Sequence, residues 1–116
     1  EVKSIVDIAD GKALVIDFWT TKCVRCPAAL SKLNDEAATR QDVVFCSCVL
    51  DNKDIAADVV DGEWENMIHL FVDVDTKERL KDQFKFSQVP FCIVADDKLK
   101  VVASGNPKEI NLASAL

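Results

Sequence analysis

Short runs of apolar residues alternate along this chain with segments in which apolar and polar residues follow a helical period. Four of the runs are rich in β-branched and aromatic residues and too short for an ordinary helix, which indicates strands buried on both faces. They are Ala13–Trp19, Val43–Leu50, His69–Val72 and Phe91–Val94. An alternating stretch over Lys98–Val102 follows a predicted turn at Asp96–Asp97, which indicates a further strand.

The segments between the strands place apolar residues three and four positions apart, as one face of a helix requires. The sets are Leu30, Leu33 and Ala37 after Pro27, then Ile55, Ala56 and Val59 within 53–60, then Leu80 with Phe84, and a last helix is predicted over Pro107–Leu116. Strands that alternate with helices predict an α/β fold, in which helices flank a central mixed β-sheet with mainly parallel strands and an antiparallel hairpin over 91–103. No repeat or linker divides the sequence, so we expect a single domain over residues 1–116.

The composition narrows the classes of partner. The 116 residues are 49% hydrophobic and carry a net charge of −6, so we expect no nucleic acid and no anionic membrane surface as a partner. No run reaches the roughly 18–20 apolar residues of a membrane span. Five cysteines are an odd number, which excludes a fully paired disulfide scaffold and favours a cytoplasmic location, with an upstream targeting segment left open.

The first predicted strand runs into Cys23-Val24-Arg25-Cys26-Pro27 at the start of the first predicted helix. Two cysteines separated by two residues at a strand-to-helix junction are typical of a redox pair. The reason is that free N–H groups and the positive end of the helix dipole stabilise a thiolate on the first sulfur. Lys22 and Arg25 add positive charge beside the pair and favour the Cys23 thiolate further.

A structural zinc site is an alternative for the same cysteines, because Cys23, Cys26, Cys46 and Cys48 have the spacing of two ligand pairs. The second pair lies in a β-branched run, however, without the turn residues that usually aim two sulfurs at one ion. We therefore interpret Cys46 and Cys48 as thiols of a strand core, and Cys92 in the same way. We expect no bound metal and no other cofactor.

Asp17 and Pro90 are the other candidate site residues. Asp17 is the lone polar residue of its apolar run, so a central strand would bury its carboxyl group, raise its pKa and make it a candidate general base. An edge strand would instead leave Asp17 in solvent. Pro90 opens a predicted strand, and its peptide bond with Val89 is open to either isomer: cis bonds occur in tight turns near sites, whereas most X-Pro bonds are trans.

These features together resemble the thioredoxin superfamily. Residues 11–27 are similar to its block of strand, carboxylate, tryptophan and Cys-x-x-Cys, and residues 86–91 resemble its cis-proline segment. The resemblance implies a thioredoxin-like fold and an enzyme that catalyses thiol-disulfide exchange. Cys23 would attack a substrate disulfide, and Cys26 would resolve the mixed disulfide that forms.

The resemblance also assigns roles around the pair. Asp17 would help Cys26 to lose its proton, Trp19 would pack beneath the pair, and the backbone of Val89 beside cis-Pro90 would pair with an extended substrate. The implied substrate-binding residues are Trp19, Lys22, Val24, Arg25, Val89 and Pro90.

The chain departs from a minimal thioredoxin in two places. An added helix and strand within Asp51–Val72 resemble those of tryparedoxin and nucleoredoxin, and of the bacterial cytochrome-maturation thioredoxins. Lys22 stands where most relatives carry tryptophan, and Val24-Arg25 replaces Gly-Pro or Pro-Pro. The basic pair predicts an anionic or acidic partner, and in the superfamily that the chain resembles the absence of proline between the cysteines commonly accompanies a more oxidising pair. The direction of electron flow therefore stays open.

We expect a monomeric oxidoreductase that acts on a disulfide-containing protein or a small thiol substrate and is served by a separate, unidentified electron donor. The alternative is a redox-inactive thioredoxin-like module whose groove between Cys23 and Val89–Pro90 binds an extended peptide without turnover. We interpret His69 as a surface or strand-end histidine and not a metal ligand, and Trp64 as the buried anchor of the added segment.

Overall fold

The structure, a computed structural model, describes residues 8–115, apart from the side chains of Ala113 and Ser114. The strands are β1 (Ala13–Trp19), β2 (Val43–Val49), β3 (Ile68–Phe71), β4 (Phe91–Ala95) and β5 (Val101–Gly105). The helices are α1 (Cys26–Thr39), α2 (Lys53–Val60), α3 (Val74–Phe84) and α4 (Leu112–Ala115). Within this part of the chain, no helix is long and apolar enough to cross a membrane.

The strands form one mixed sheet in the order β3-β2-β1-β4-β5. β1 pairs parallel with β2, and β2 pairs parallel with β3, whereas β4 runs antiparallel to both β1 and β5. The sheet confirms the predicted α/β class, its parallel centre and its hairpin. The helix and the strand expected within Asp51–Val72 are present as α2 and β3.

Alternation along β1 gives the sheet two buried faces. Val15 and Trp19 point to the face covered by α1, where they pack with Cys26 and Leu30. Leu14, Ile16 and Phe18 point to the other face, against which Leu80 and Phe84 of α3 pack. We call these the α1 face and the α3 face. α2 contributes Ala56 and Val60 to the α1 face, so α1 and α2 lie on the same side of the sheet.

One edge of the sheet gathers the segments that carry the candidate chemistry. The parallel strands β1, β2 and β3 all end at this edge, and the antiparallel strand β4 begins there, because Phe18 pairs with Phe91. We call it the site edge. The Cys-x-x-Cys segment follows β1 and Val89–Pro90 precedes β4, so the topology brings them together.

Apart from shifts of one residue at strand ends, three predicted elements differ from the structure. The last strand begins at Val101 rather than Lys98, because the Asp96 side chain accepts hydrogen bonds from the N–H groups of Lys98 and Lys100 and holds them in a turn. The predicted stripe on α2 is wrong in part: Ala56 is buried, but Ile55 and Val59 are 50% and 37% exposed.

The predicted last helix over Pro107–Leu116 is shorter in the structure. Within the described residues it spans only Leu112–Ala115, and Leu116 lies outside them. The Lys32 ammonium group of α1 donates to the carbonyl oxygens of Pro107 and Ile110, at 3.0 and 3.5 Å. The preceding segment is therefore fastened to α1 without forming a helix.

Candidate active site

Cys23 and Cys26 form a disulfide at the start of α1, with their Cα atoms 5.4 Å apart. Cys26 is the first residue of the helix and is fully buried, whereas Cys23 lies before the helix and is half-buried. Pro27 occupies the first turn, where its missing N–H group costs no helical hydrogen bond. One sulfur of the pair is therefore within reach of a substrate and the other is not.

The loop before Cys23 is held by the end of β2. The Asp51 carboxylate accepts hydrogen bonds from the N–H group of Thr21, at 3.0 and 3.1 Å, and from its hydroxyl group, at 2.7 Å. The Cys23 N–H group donates to the carbonyl oxygen of Thr20, at 3.2 Å. Asp51 is not among the site residues predicted from the sequence. Its position directly after a buried strand that ends at the site edge was the available signal.

Val89 faces the exposed sulfur across the site edge. The Sγ atom of Cys23 lies 3.7 Å from the carbonyl oxygen of Val89, and the Val89–Pro90 peptide bond is cis. A shallow cavity of about 360 Å³ opens beside the pair. It is lined by Thr20, Lys22, Cys23, Val24, Arg25 and Val89. Four of the six expected substrate-binding residues therefore line one cavity.

The other two expected substrate-binding residues, Trp19 and Pro90, are buried. Trp19 is 1% exposed and packs on the α1 face with Cys26, and its ring meets that of Trp64 edge-on at a centroid distance of 6.1 Å. Trp19 thus supports the pair from beneath, as the resemblance implied. Its expected contact with a substrate is corrected, because its side chain has no surface to offer.

Asp17 is completely buried in β1, the middle strand of the sheet. The edge-strand alternative is therefore wrong. Among the described residues, neither carboxyl oxygen of Asp17 has a hydrogen-bond partner, and burial raises the pKa of this carboxyl group well above its usual value. Alternation places Asp17 between Val15 and Trp19 on the α1 face, the same face against which Cys26 packs.

The remaining three cysteines are buried thiols. Burial raises the pKa of Cys46, Cys48 and Cys92 to about 12 in each case. Cys46 and Cys48 point to the α3 face, whereas Cys26 lies on the α1 face, so the sheet separates the two pairs. The zinc alternative is therefore excluded, and within residues 8–115 no group of three or more potential ligands could hold a metal ion.

The pKa values of these thiols predict selective alkylation. After mild reduction, iodoacetamide at pH 8 is expected to modify Cys23 in the native protein. Cys46, Cys48 and Cys92 should react about 100-fold more slowly or not at all, because a thiol with a pKa of about 12 provides almost no thiolate at that pH. Peptide mass spectrometry before and after denaturation measures the labelling. Fast native labelling of the three buried cysteines would contradict the structure.

Lys22, Val24 and Arg25 form an exposed rim around Cys23, in which Val24 is 92% exposed. We call these three residues the basic rim. Neither Lys22 nor Arg25 forms an ion pair with another described residue. The start of α1 adds the positive end of the helix dipole. The site therefore presents positive charge in a chain whose net charge is −6.

Ser47 and His69 are polar residues of the α1 face that are not among the site residues predicted from the sequence. Ser47 is 1% exposed, and its hydroxyl group is hydrogen-bonded to Nδ1 of His69. His69 is half-buried and is the second residue of β3, which agrees with the strand-end alternative and not with the surface one. The available signal was a lone polar residue within an apolar run, which is Ser47 in β2 and Asp17 in β1.

Trp64, as expected, anchors its segment, and its indole N–H group donates to Ser31 of α1.

No protein-family model and no curated protein matches the sequence of the chain. Solved structures match its fold. A thioredoxin-like protein from Aeropyrum pernix has a TM-score of 0.80 at 13% identity, over 99% of this chain and 81% of its own. The exposed lipoprotein thioredoxin of Streptococcus pneumoniae has a TM-score of 0.77 at 18% identity, over 95% and 87%.

A third similar structure is the thioredoxin domain of a thiol-disulfide oxidoreductase from Bacteroides vulgatus. Its TM-score is 0.76 at 18% identity, over 88% of this chain and 74% of that one. Together with the order of the strands and the cysteine pair at the start of α1, these similarities confirm that the chain has the thioredoxin-like fold that its sequence resemblance implied.

Proposed function

We propose that the protein is an enzyme, a thiol-disulfide oxidoreductase that exchanges disulfides with protein or low-molecular-weight substrates through Cys23 and Cys26. The observation that carries the proposal is the asymmetric pair at the start of α1: a disulfide with one accessible and one buried sulfur. The naming of similar structures from Bacteroides as a thiol-disulfide oxidoreductase and a thiol:disulfide interchange protein supports the same class of reaction.

The first step uses the reduced pair. The Cys23 thiolate attacks one sulfur of a substrate disulfide, the substrate S–S bond breaks, and one substrate sulfur leaves as a thiolate. The other substrate sulfur is now bonded to Cys23. The free N–H groups and the dipole at the start of α1 stabilise the attacking thiolate, and Lys22 and Arg25 add to this effect.

The second step closes the pair. Cys26 gives its proton to the Asp17 carboxylate and attacks the Cys23 sulfur, and the second substrate sulfur leaves as a thiolate. The substrate gains two electrons and the cysteine pair loses two, which leaves the Cys23–Cys26 disulfide that the structure contains. A separate electron donor must then reduce this disulfide before the next cycle.

The geometry of the site edge favours an extended acidic substrate. The Val89 carbonyl oxygen, beside Cys23, is placed to accept a hydrogen bond from the backbone of a substrate strand. The basic rim then faces the substrate residues that flank its cysteine, and acidic residues there would complement Lys22 and Arg25.

Equilibration of the protein in glutathione redox buffers tests the proposed function. The Cys23–Cys26 disulfide should form and open reversibly as one two-electron transition, which the mass of the alkylated protein reports. A midpoint near roughly −270 mV would make the protein a reductant, and one near roughly −120 mV would make it an oxidant. If no reversible transition occurs, the proposal fails and the redox-inactive peptide-binding module is favoured.

Charge reversal of the basic rim tests the preference for an acidic substrate. The double variant Lys22→Glu/Arg25→Glu is expected to lose about tenfold or more in the rate of reaction with an acidic disulfide peptide at low salt, because attraction becomes repulsion. The difference should shrink as salt is added, in stopped-flow measurements of the mixed-disulfide step.

Lys98→Glu is the matched control for this variant. Lys98 is an exposed lysine in the turn between β4 and β5, at the opposite edge of the sheet. The control should react like the wild type. Equal rates for the double variant and Lys98→Glu with the acidic peptide would overturn the proposed preference.

The monomeric state, the cytoplasmic location and the tryparedoxin-like or cytochrome-maturation branch stay predictions.

A further inference from the structure

A row of polar side chains crosses the sheet beneath the cysteine pair. His69 of β3 is the register partner of Ser47 of β2, and Ser47 is the register partner of Asp17 of β1. Partners on adjacent strands lie about 4.8 Å apart and point to the same face. We call these three residues the polar row. On the other side of Asp17 the register partner is Cys92 of β4.

The hydrogen bonds of His69 determine the direction in which the Ser47 hydroxyl group points. The Nε2 atom of His69 lies 3.1 Å from the carbonyl oxygen of Trp64, and a carbonyl oxygen can only accept. In a neutral imidazole ring Nε2 therefore carries the proton, and Nδ1 is left as an acceptor. It follows that Ser47 donates its hydroxyl proton to Nδ1 of His69.

This arrangement leaves Asp17 next to a donor that is already used. Both carboxyl oxygens of Asp17 lack a partner among the described residues, although its neighbour in the sheet carries a hydroxyl group. A buried carboxylate that receives no hydrogen bond holds its proton more tightly than one that receives a hydrogen bond from a hydroxyl group. The occupied Ser47 hydroxyl thus makes the Asp17 carboxylate a stronger base.

Other titratable groups also face Asp17. Cys26 packs on the same face from α1, and Cys92 is its neighbour on β4. Lys32 of α1 lowers the pKa of Cys92 and Glu36 of α1 raises it, each by less than Asp17 does. From α2, the side chains that reach this core are the apolar Ala56 and Val60. Among the described residues, Ser47 is the register partner of Asp17 that carries a hydroxyl group.

We propose that Ser47 and His69 are positioning residues for Asp17: His69 Nδ1 holds the Ser47 hydroxyl proton away from the Asp17 carboxylate, which keeps the carboxylate a strong acceptor for the Cys26 proton. The inference rests on the proposed function for the Cys26 step. When Asp17 takes that proton, its new O–H group can donate to the Ser47 oxygen, whose own proton stays on the side of His69. No proton passes to His69.

The test is a thermodynamic cycle in which the titration of the Asp17 carboxyl carbon is followed by NMR in reduced protein labelled with ¹³C-aspartate. His69→Phe removes the acceptor, so Ser47 is released to donate to Asp17, and the Asp17 midpoint should move to lower pH. In the double variant His69→Phe/Ser47→Ala no hydroxyl is available, and this shift should disappear. His69→Gln supplies an amide oxygen as the acceptor and should restore the midpoint towards the wild-type value.

Two further variants complete the experiment. Ser104→Ala changes an exposed serine of β5 and should leave the Asp17 titration unaltered. If His69→Phe fails to fold, as judged by near-ultraviolet circular dichroism, His69→Leu takes its place in the cycle. An unchanged Asp17 midpoint in the folded His69 variant, or an equal shift in the double variant, would overturn the inference.

A kinetic measurement separates this inference from the proposed function. The closing of a mixed disulfide by Cys26 should slow about threefold to tenfold in His69→Phe, because its proton acceptor is weaker. Suppose that neither the wild type nor any variant catalyses disulfide exchange, but the thermodynamic cycle gives the expected shifts of the Asp17 midpoint. The proposed function then fails, and the link between the polar row and Asp17 stands.

Discussion

Replacement of Cys23 by serine is expected to abolish disulfide exchange, with a loss of about 1,000-fold or more in rate. Cys23 is the accessible sulfur of the pair, whereas Cys26 is fully buried and the three free cysteines have pKa values of about 12. A serine hydroxyl group is not ionised at neutral pH, so no thiolate remains where a substrate can reach it. Reduction of insulin disulfides by dithiothreitol, with and without the protein, measures the loss.

Two other cysteine variants make the result specific. Cys26→Ser keeps the attacking sulfur but cannot resolve the intermediate, so it should accumulate a mixed disulfide with the substrate that intact-mass measurement detects. Cys46→Ala also removes a buried thiol, but on the α3 face, and should retain the wild-type rate. If wild type and Cys23→Ser reduce insulin equally poorly and still bind the same partner, the protein is the peptide-binding module rather than an enzyme.

The cysteine pair could be predicted from the sequence because its signals are local. A strand, a Cys-x-x-Cys motif and a proline in the first helical turn follow one another within residues 13–27, and each constrains the backbone of its neighbours. The burial of Asp17 depended on one further fact, namely that β1 is the middle strand. The sequence left open whether Asp17 is buried in a central strand or exposed on an edge strand, because the order of strands is a tertiary property.

The polar row could not be predicted in the same way. It exists because β2 pairs with β1 and β3 in one particular register, and a shift by one residue would turn Ser47 to the α3 face. The predicted start of β5 was wrong for a different reason. The period of Lys98–Val102 favours a strand, but the Asp96 side chain binds two of its N–H groups and Leu99 adopts a positive φ of 62°.

Replacement of Asp17 by asparagine is expected to stabilise the protein at pH 8 by about 1–3 kcal/mol, because a buried carboxylate without a partner costs more free energy than a neutral amide without one. Burial raises the pKa of Asp17 in the folded state, so the folded protein holds this proton more tightly than the unfolded chain does. As pH rises above about 4, the unfolded chain releases the proton first, and the wild type loses stability until the raised folded pKa is passed. Asparagine has no proton to release.

The difference in unfolding free energy between Asp17→Asn and wild type should therefore grow with pH. Urea denaturation of the oxidised proteins at pH 4.5 and pH 8 measures it. Groups whose pKa values are lowered, such as Asp42, Asp73 and Asp96, contribute equally to both chains and cancel. Asp58→Asn, the same change on the exposed surface of α2, should show no such growth with pH.

A difference that stays constant with pH would mean that Asp17 does not titrate in the folded protein with a raised pKa, and its role as a proton acceptor would fail as well.

The expected gain in stability has a functional counterpart. The stabilised Asp17→Asn variant should resolve mixed disulfides about 10- to 100-fold more slowly, since an amide cannot accept the Cys26 proton. A gain in stability together with a loss in rate would mean that the buried carboxyl group is retained for its chemistry, because it weakens the sheet in which it lies.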